Sequence, residues 1–174
     1  MCGNMGRPSL PLCMTLVFAS LLIVVIFSAF SAPDGSIGGL DGRVGAIDHD
    51  SLWNGMDPFT GSIYRAGDYF CHQIEDRSLQ LNGNQMAICA RDLGILVGFV
   101  AAAMVSTVWK ADIPWWLIAL MAIPIVVDGG AQALTEHVSN NPLRLVTGAL
   151  GGAGAMWGML KMMESWIGEL EGKG

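Results

Sequence analysis

The sequence predicts an all-α integral membrane protein, a bundle of four transmembrane helices with a short amphipathic helix ahead of the second span. Three observations carry this. Of the 174 residues 52% are apolar and only 14% charged, and the apolar ones are bunched into runs longer than a soluble core needs. Four of those runs reach the roughly 20 residues that a helix rising about 1.5 Å per residue needs to cross about 30 Å of hydrocarbon. Most of the polar residues fall outside these runs, above all in one long segment, 33–87. Residues 1–174 therefore read as a single membrane domain with spans at 12–32, 88–109, 113–134 and 143–163.

The first run is LCMTLVFASLLIVVIFSAFSA, Leu12 to Ala32. It has a rival reading as a cleavable leader, because Arg7 precedes the apolar stretch and Ala29, Phe30 and Ser31 resemble a small-x-small cleavage site. The apolar stretch from Leu16 to Phe30 is at the long end for a leader, and Pro33 directly follows, so retention as an anchor is preferred.

Segment 33–87 divides in two. Residues 33–56 are rich in Gly and Asp with no sustained period, which is loop behaviour. From Asp57 a helix is expected through residue 72. Asp57 suits the N-cap and Pro58 the first turn, while Phe59, Ile63, Ala66 and Phe70 recur on one face. That face fits either the acyl boundary of a bilayer or the surface of a small outer domain.

The second run, ICARDLGILVGFVAAAMVSTVW, carries Arg91 and Asp92 near its start. The third, IPWWLIALMAIPIVVDGGAQAL, carries Asp128 near its end with Gln132 one turn on. Pro124 loosens the third helix four residues before Asp128. In the fourth, LRLVTGALGGAGAMWGMLKMM, Gly148 and Gly152, and Gly154 and Gly158, recur at the spacing that lets helix backbones approach closely. Such faces serve packing within one chain or, with Gly94 and Gly98 as a matching surface, a homo-oligomer. Trp109, Trp115 and Trp116 bracket the turn between the second and third spans as an aromatic belt, and the methionines are span filler.

Four spans put both termini and the turn Lys110 to Asp112 on one side, and segment 33–87 and the turn Thr135 to Pro142 on the other. Arg7, Lys110, Lys161 and Lys173 occupy short segments of the terminal side. Arg43, Arg65, Arg77, Arg91 and Arg144 are spread over a much longer opposite side. The denser positive charge favours cytoplasmic termini in a multi-pass protein of the cell membrane. The net charge of −6 includes no basic patch of nucleic-acid size, which excludes nucleic acid as a partner; the partner the chain requires is the lipid bilayer.

A charge within a span costs several kcal/mol unless it is paired or faces a wet cavity, which makes Arg91, Asp92 and Asp128 functional candidates. Mutual pairing of Arg91 and Asp128 is the purely structural explanation. Of the four cysteines only Cys71 and Cys89 share a polar setting, since Cys2 and Cys13 lie before or within the first span. The cluster expected near one membrane face comprises Cys71, His72, Gln73, Arg77, Ser78, Cys89, Arg91, Asp92, Asp128, Gln132 and Arg144.

Several of these residues also carry a resemblance. Cys71-His72-Gln73 with Arg77-Ser78, Cys89-Ala90-Arg91 with Gly94, Asp128-Gly129 with Gln132, and Arg144 with Thr147-Gly148 together resemble the uncharacterised membrane proteins catalogued as domain of unknown function 2085, over residues 68 to 155. The resemblance implies a prokaryotic multi-span membrane protein and no activity. Members of that family usually show Cys-Ala-Arg-Cys, and here Asp92 stands in place of the second cysteine. Dithiol chemistry cannot run between Cys89 and position 92, whereas carboxylate can replace thiolate on zinc.

Three chemistries remain open. Cys71, His72, Cys89, Asp92 and Asp128 are candidate ligands of a metal, for which zinc suits the set, with His137 in reserve; adjacent Cys71 and His72 diverge by about 100° on a helix, so both can ligate only if the helix ends there. Cys71 and Cys89 can instead serve thiol redox or form a disulfide staple. Arg77, Arg91 and Arg144, with Gln73, Gln132 and Asp128, suit the binding, transfer or transport of an anionic head group or small solute. An enzyme acting on a head group would use the same residues with His72 or Asp128 as proton carrier, so the sequence leaves open whether the protein is an enzyme. His49 is expected to be a solvated loop residue.

Overall fold

In the computed structural model, whose described residues are 10–109, 112–134 and 139–171, the first apolar run is one helix, α1 (Leu10–Ser31). The short helix α2 (Asp50–Asn54), α3 (Pro58–Phe70) and a 3-10 turn at Glu75–Arg77 follow. A hairpin of β1 (Ser78–Leu81) and β2 (Asn84–Cys89) leads into three long helices, α4 (Ala90–Val108), α5 (Trp115–Leu134) and α6 (Asn141–Glu171). The protein is mostly helical, and the two-stranded antiparallel sheet is an addition to the expected all-helical architecture.

The α3 N-terminus forms as its sequence dictates: the Asp57 carboxylate accepts from the Phe59 and Thr60 amides at 3.1 and 3.0 Å, with Pro58 in the first turn. The face it buries differs from the expected one. Thr60, Gly61, Tyr64, Gly67 and Asp68 are buried, whereas Phe59, Ala66 and Phe70 are exposed. Gly61 and Gly67 decide this, because a Cβ there would lie 2.4 Å from the Trp53 carbonyl oxygen and 2.0 Å from that of Ala87, so the small-residue face is the one that fits against backbone. The apolar face is left outward, and Phe59 meets Phe27 of α1 edge to face at 5.9 Å.

The hairpin, absent from the expected architecture, turns at Leu81-Asn82-Gly83-Asn84. Asn82 and Gly83 have φ of 53° and 66°, the left-handed pair of a type I′ turn, whose twist matches that of the flanking strands. Because β2 continues to Cys89, which caps α4, the second span starts at Ala90 rather than 88, and Arg91 and Asp92 lie in its first turn.

Segment 33–56, expected as a loop, is fastened to β2 by two fully buried amide side chains. Asn84 accepts from the Ile37 amide at 2.9 Å and donates to the Ala29 carbonyl at 2.9 Å, one of the carbonyls α1 leaves open at its C-terminus. Gln85 accepts from the Leu40 amide at 3.0 Å and donates to the Gln73 carbonyl and to Ser78 Oγ. Ile37, Leu40, Trp53, Tyr64 and Ala87 form the core of this cap. Truncating Gln85→Ala strands the buried Leu40 amide and Gln73 carbonyl, and is expected to cost about 2–3 kcal/mol, read as a lowered denaturation midpoint in detergent.

Below the cap, α4 and α6 run side by side in the same direction. A Cβ on Gly94 or Gly98 would lie 2.3 and 2.2 Å from the carbonyl oxygens of Leu145 and Ala149; one on Gly148 or Gly152 would lie 2.4 and 2.3 Å from those of Arg91 and Ile95. The two helices thus touch backbone to backbone. These small-residue faces, offered above for self-association, are engaged within one chain. On its other flank α6 packs antiparallel to α5, Gly151 against Ile125 and Gly154 against Ile118 and Met121. Helix α1 lies along α4, with Phe18 edge to face on Phe99 at 4.8 Å and Val25 clustering with Leu93.

Among the described residues, three helices are long and apolar enough to cross a membrane: α1, α4 and residues 115–132 of α5. The expected count of four is met in length by α6, at 31 residues, but its glycines together with Lys161, Glu164 and Glu169 dilute its apolar character below the others. Helix α5 continues through Pro124. At the far end Trp109, Trp115 and Trp116 are exposed, and Lys161 bonds Asp112 and lies 5.5 Å over the Trp115 ring.

Candidate functional site

Helices α4 and α6 begin, and α5 finishes, at the same end of the bundle, beneath the cap. There a cleft of about 270 Å³ is lined by Val44, Phe70, Cys71, His72, Ile74, Arg77, Cys89, Arg91, Asp92, Gln132 and Arg144. A larger cleft of about 530 Å³ opens at the opposite end, around Asp112, Trp157, Lys161 and Glu164, with no thiol or imidazole among the described residues of its lining.

Cys71, Cys89 and Asp92 each offer a ligand atom, and all three atoms lie within 4.8 Å of one another. Three pieces of local structure bring this about. Helix α3 ends at Phe70 and Cys71 is extended (φ −132°, ψ 150°), so Cys71 is buried and His72 exposed on opposite sides, while Gln73, in a left-handed backbone (φ 46°), is buried again. Cys89 closes β2, and its amide donates to Cys71 Sγ at 3.2 Å. Asp92 follows three residues later in the first turn of α4, on the same side as Cys89. Hydrogen bonding with Cys89 and burial push Cys71 far above the ordinary thiol range, while the bond from Cys71 lowers Cys89.

Two of the expected ligands stand apart from this trio. His72 is exposed and lines the cleft outside the close group, because the extended backbone at Cys71 turns it the other way. Asp128 lies in an ion pair with Arg91, Oδ2 to Nη2 at 2.6 Å, its side chain 5% exposed. His137 lies outside the described residues, as do Cys2, Arg7, Lys110 and Lys173.

The arginines form the other half of the cleft. Arg144 is 1% exposed, and its guanidinium donates to neutral acceptors: Gln132 Oε1 at 3.1 Å, Asn141 Oδ1 at 3.2 Å and the Asp76 carbonyl at 3.3 Å. Gln132 in turn donates to the Asp128 carbonyl at 3.1 Å, so Arg91, Asp128, Gln132 and Arg144 form one chain of contacts. Among the described residues neither Arg144 nor Arg77 has a carboxylate partner, and the buried Nε atoms of Arg91 and Arg144 have no hydrogen-bond acceptor.

Gln73 and Ser78 lie in the wall behind the cleft rather than in its lining. The Gln73 amide donates to the carbonyls of Ala87 at 2.8 Å and Tyr64 at 3.2 Å, and Ser78 Oγ donates to the Ile74 carbonyl at 3.0 Å. His49 is not a solvated loop residue: its amide bonds the fully buried Asp68 at 2.9 Å, its ring nitrogens lie 3.5 Å from Asp68 and Asp41, and Asp68 also accepts from the Trp53 indole at 2.8 Å. The sequence reading passed over Val44, Phe70 and Ile74 at the cleft, and Asn84 and Gln85 behind it. Only the last two had a signal, in their position directly after the Asn82-Gly83 turn.

A family model described as "Predicted membrane protein (DUF2085)" matches residues 71–157, the stretch that runs from Cys71 past Arg144. An uncharacterised protein of Methanocaldococcus jannaschii is 36% identical over 96 residues, covering 52% of this chain and 61% of that protein, so this chain spans less than two thirds of that relative. An uncharacterised protein of Methanothermobacter thermautotrophicus is 32% identical over 90 residues, covering 49% of this chain and 80% of that protein. No solved structure matches.

Proposed function

This chain belongs to the DUF2085 family of predicted membrane proteins, and from that premise we propose that it is a bilayer-embedded metal-site protein in which Cys71, Cys89 and Asp92 hold a zinc ion at one membrane face. The observation that carries the reading is the approach of the three ligand atoms to within 4.8 Å of one another. Ligands on a tetrahedral zinc at about 2.3 Å stand about 3.8 Å apart, so only a small contraction separates this arrangement from coordination. Two thiolates and a carboxylate suit zinc better than harder cations, which favour all-oxygen sites. Three protein ligands leave a fourth position toward the cleft, the pattern of zinc sites that polarise a bound water or substrate oxygen.

The bundle supplies the depth. Helix α6 lies parallel to α4 and in backbone contact with it, so where α4 crosses the bilayer α6 crosses beside it, giving four spans in a single membrane domain. At about 1.5 Å per residue its 31 residues exceed the hydrocarbon thickness. On this reading the cleft lies at the interface on the side opposite the termini, and the denser positive charge near the termini places them in the cytoplasm.

Elemental analysis of protein purified in neutral detergent, with thiols counted before and after reduction, tests the site. About one zinc per chain, absent from the Cys71→Ser variant, is the expected result. The nearness of Cys71 to Cys89 also supports a second reading, a disulfide stapling the cap to α4. That reading predicts no zinc, and two thiols that appear only on reduction.

A further inference from the structure

We propose that the cleft binds a phosphate group between Arg77, Arg91 and Arg144. The inference concerns the same cleft as the metal reading but does not rest on it. Three guanidiniums line this small space, against Asp92 in the lining and Asp128 behind Arg91. Among the described residues the cleft therefore carries one cationic charge in excess. A divalent ion held by two thiolates would leave that excess unchanged, since the charges cancel.

Arg144 is the sharpest indication of a missing anion. A buried guanidinium normally has a carboxylate opposite it, because desolvating an uncompensated charge is costly. Arg144 has only neutral acceptors among the described residues, its Nε has none, and it lines the cleft. Arg77 also reaches the cleft with no carboxylate partner among the described residues, and Arg91 has a buried Nε without an acceptor although its Nη2 is paired. Forked, planar donors converging from the 3-10 turn, α4 and α6 match the oxygens of a tetrahedral oxyanion, which can accept from several guanidiniums at once.

The volume, about 270 Å³, admits a phosphate group with space beside it for whatever the phosphate is attached to. Apolar residues stand at the same cleft: Phe70 is 74% exposed and Val44 54%. A lipid head group with its chains beside Phe70, or free phosphate entering from solvent, would present the same chemistry to the arginines.

The test uses the full chain. Inorganic phosphate is titrated into protein in neutral detergent by calorimetry. In parallel, protein in nanodiscs of phosphatidylcholine with or without phosphatidylglycerol is examined for retained lipid by mass spectrometry. Saturable phosphate binding, or selective retention of phosphatidylglycerol that excess phosphate displaces, is expected; the first alone identifies free phosphate as the ligand and the second a head group. Arg77→Gln, at a half-buried residue, should leave thermal unfolding unchanged and weaken binding about tenfold. Arg144→Lys, which keeps the charge but not the fork, should weaken it at least as much. Folded wild-type protein that binds neither probe, or binding that both variants leave intact, would overturn the proposal. Because zinc content is measured separately, a metal-free protein that binds phosphate would remove the metal reading alone, and a zinc-loaded one that binds no phosphate would remove this one alone.

Discussion

Zinc affinity is expected to fall by more than about a hundredfold in Cys71→Ser and in Cys89→Ser, while Cys13→Ser leaves it unchanged. Loss of an outer-shell partner already costs about ten- to a hundredfold at metal sites, and removal of a ligand costs more. The three thiols differ in setting: Cys13 lies within α1, whereas Cys71 and Cys89 are brought together by the end of α3 and the end of β2. Asp92→Asn is expected to weaken zinc less than either serine variant, because an amide oxygen remains as a poorer ligand. Asp92→Cys would supply a third thiolate and is expected to tighten zinc, giving a gain to set against the losses. Dialysis against a competing chelator measures all five variants on one scale.

Gly98→Leu is expected to be the most damaging single change in the bundle, costing about 3 kcal/mol or more. The Cβ alone would lie 2.2 Å from the Ala149 carbonyl oxygen and 2.7 Å from the Ala153 amide, both backbone atoms that cannot rotate aside. Relief requires α4 and α6 to separate along the line of Gly94, Gly98, Gly148 and Gly152, and the same helices carry Arg91 and Arg144 into the cleft. Lost stability should therefore be accompanied by weakened zinc and phosphate binding. Gly130→Ala is the control: a Cβ there meets nothing within 4 Å, and alanine in a helix interior is favoured over glycine by up to about 1 kcal/mol. Thermal unfolding in a single detergent compares the two.

What could be read from sequence followed the strength of the physical signal. Long apolar runs give a helix no alternative in lipid, and α1, α4 and α5 begin and end within about two residues of the apolar runs, whereas α6 runs on beyond its apolar stretch into a charged C-terminal part ending at Glu171. The Asp57-Pro58 start of α3 was equally plain. Its buried face was not, because apolar periodicity pointed to Phe59, Ile63, Ala66 and Phe70 while close backbone approach at Gly61 and Gly67 selected the opposite side. The hairpin was hidden by proximity to a span: Ile88 and Cys89 read as the start of an apolar run, although the Asn82-Gly83 turn was present.

For the cleft, depth in the membrane pointed to Arg91, Asp128, Gln132 and Arg144 as neighbours, since threading a chain back and forth sets which residues share a level. Side-chain direction was beyond that logic. Gln73 and Ser78 turn into the cap, whereas Asp128 pairs with Arg91 as the sequence had offered. Val44 reaches the cleft from a segment with no period at all, held in place by the flanking Gly42 and Gly45 amides, which donate to the His72 and Tyr69 carbonyls at 2.7 and 2.8 Å.

Cobalt(II) substitution tests the proposed centre most directly, since the spectrum reports metal geometry and sulfur ligation together. Chelator-treated, reduced protein titrated with cobalt should develop a thiolate-to-cobalt charge-transfer band in the near ultraviolet and the intense visible bands of a tetrahedral ion, saturating at about one equivalent. The charge-transfer intensity should halve when either Cys71 or Cys89 is replaced. A spectrum that stays that of hydrated octahedral cobalt, in folded protein with both thiols reduced, would contradict the account.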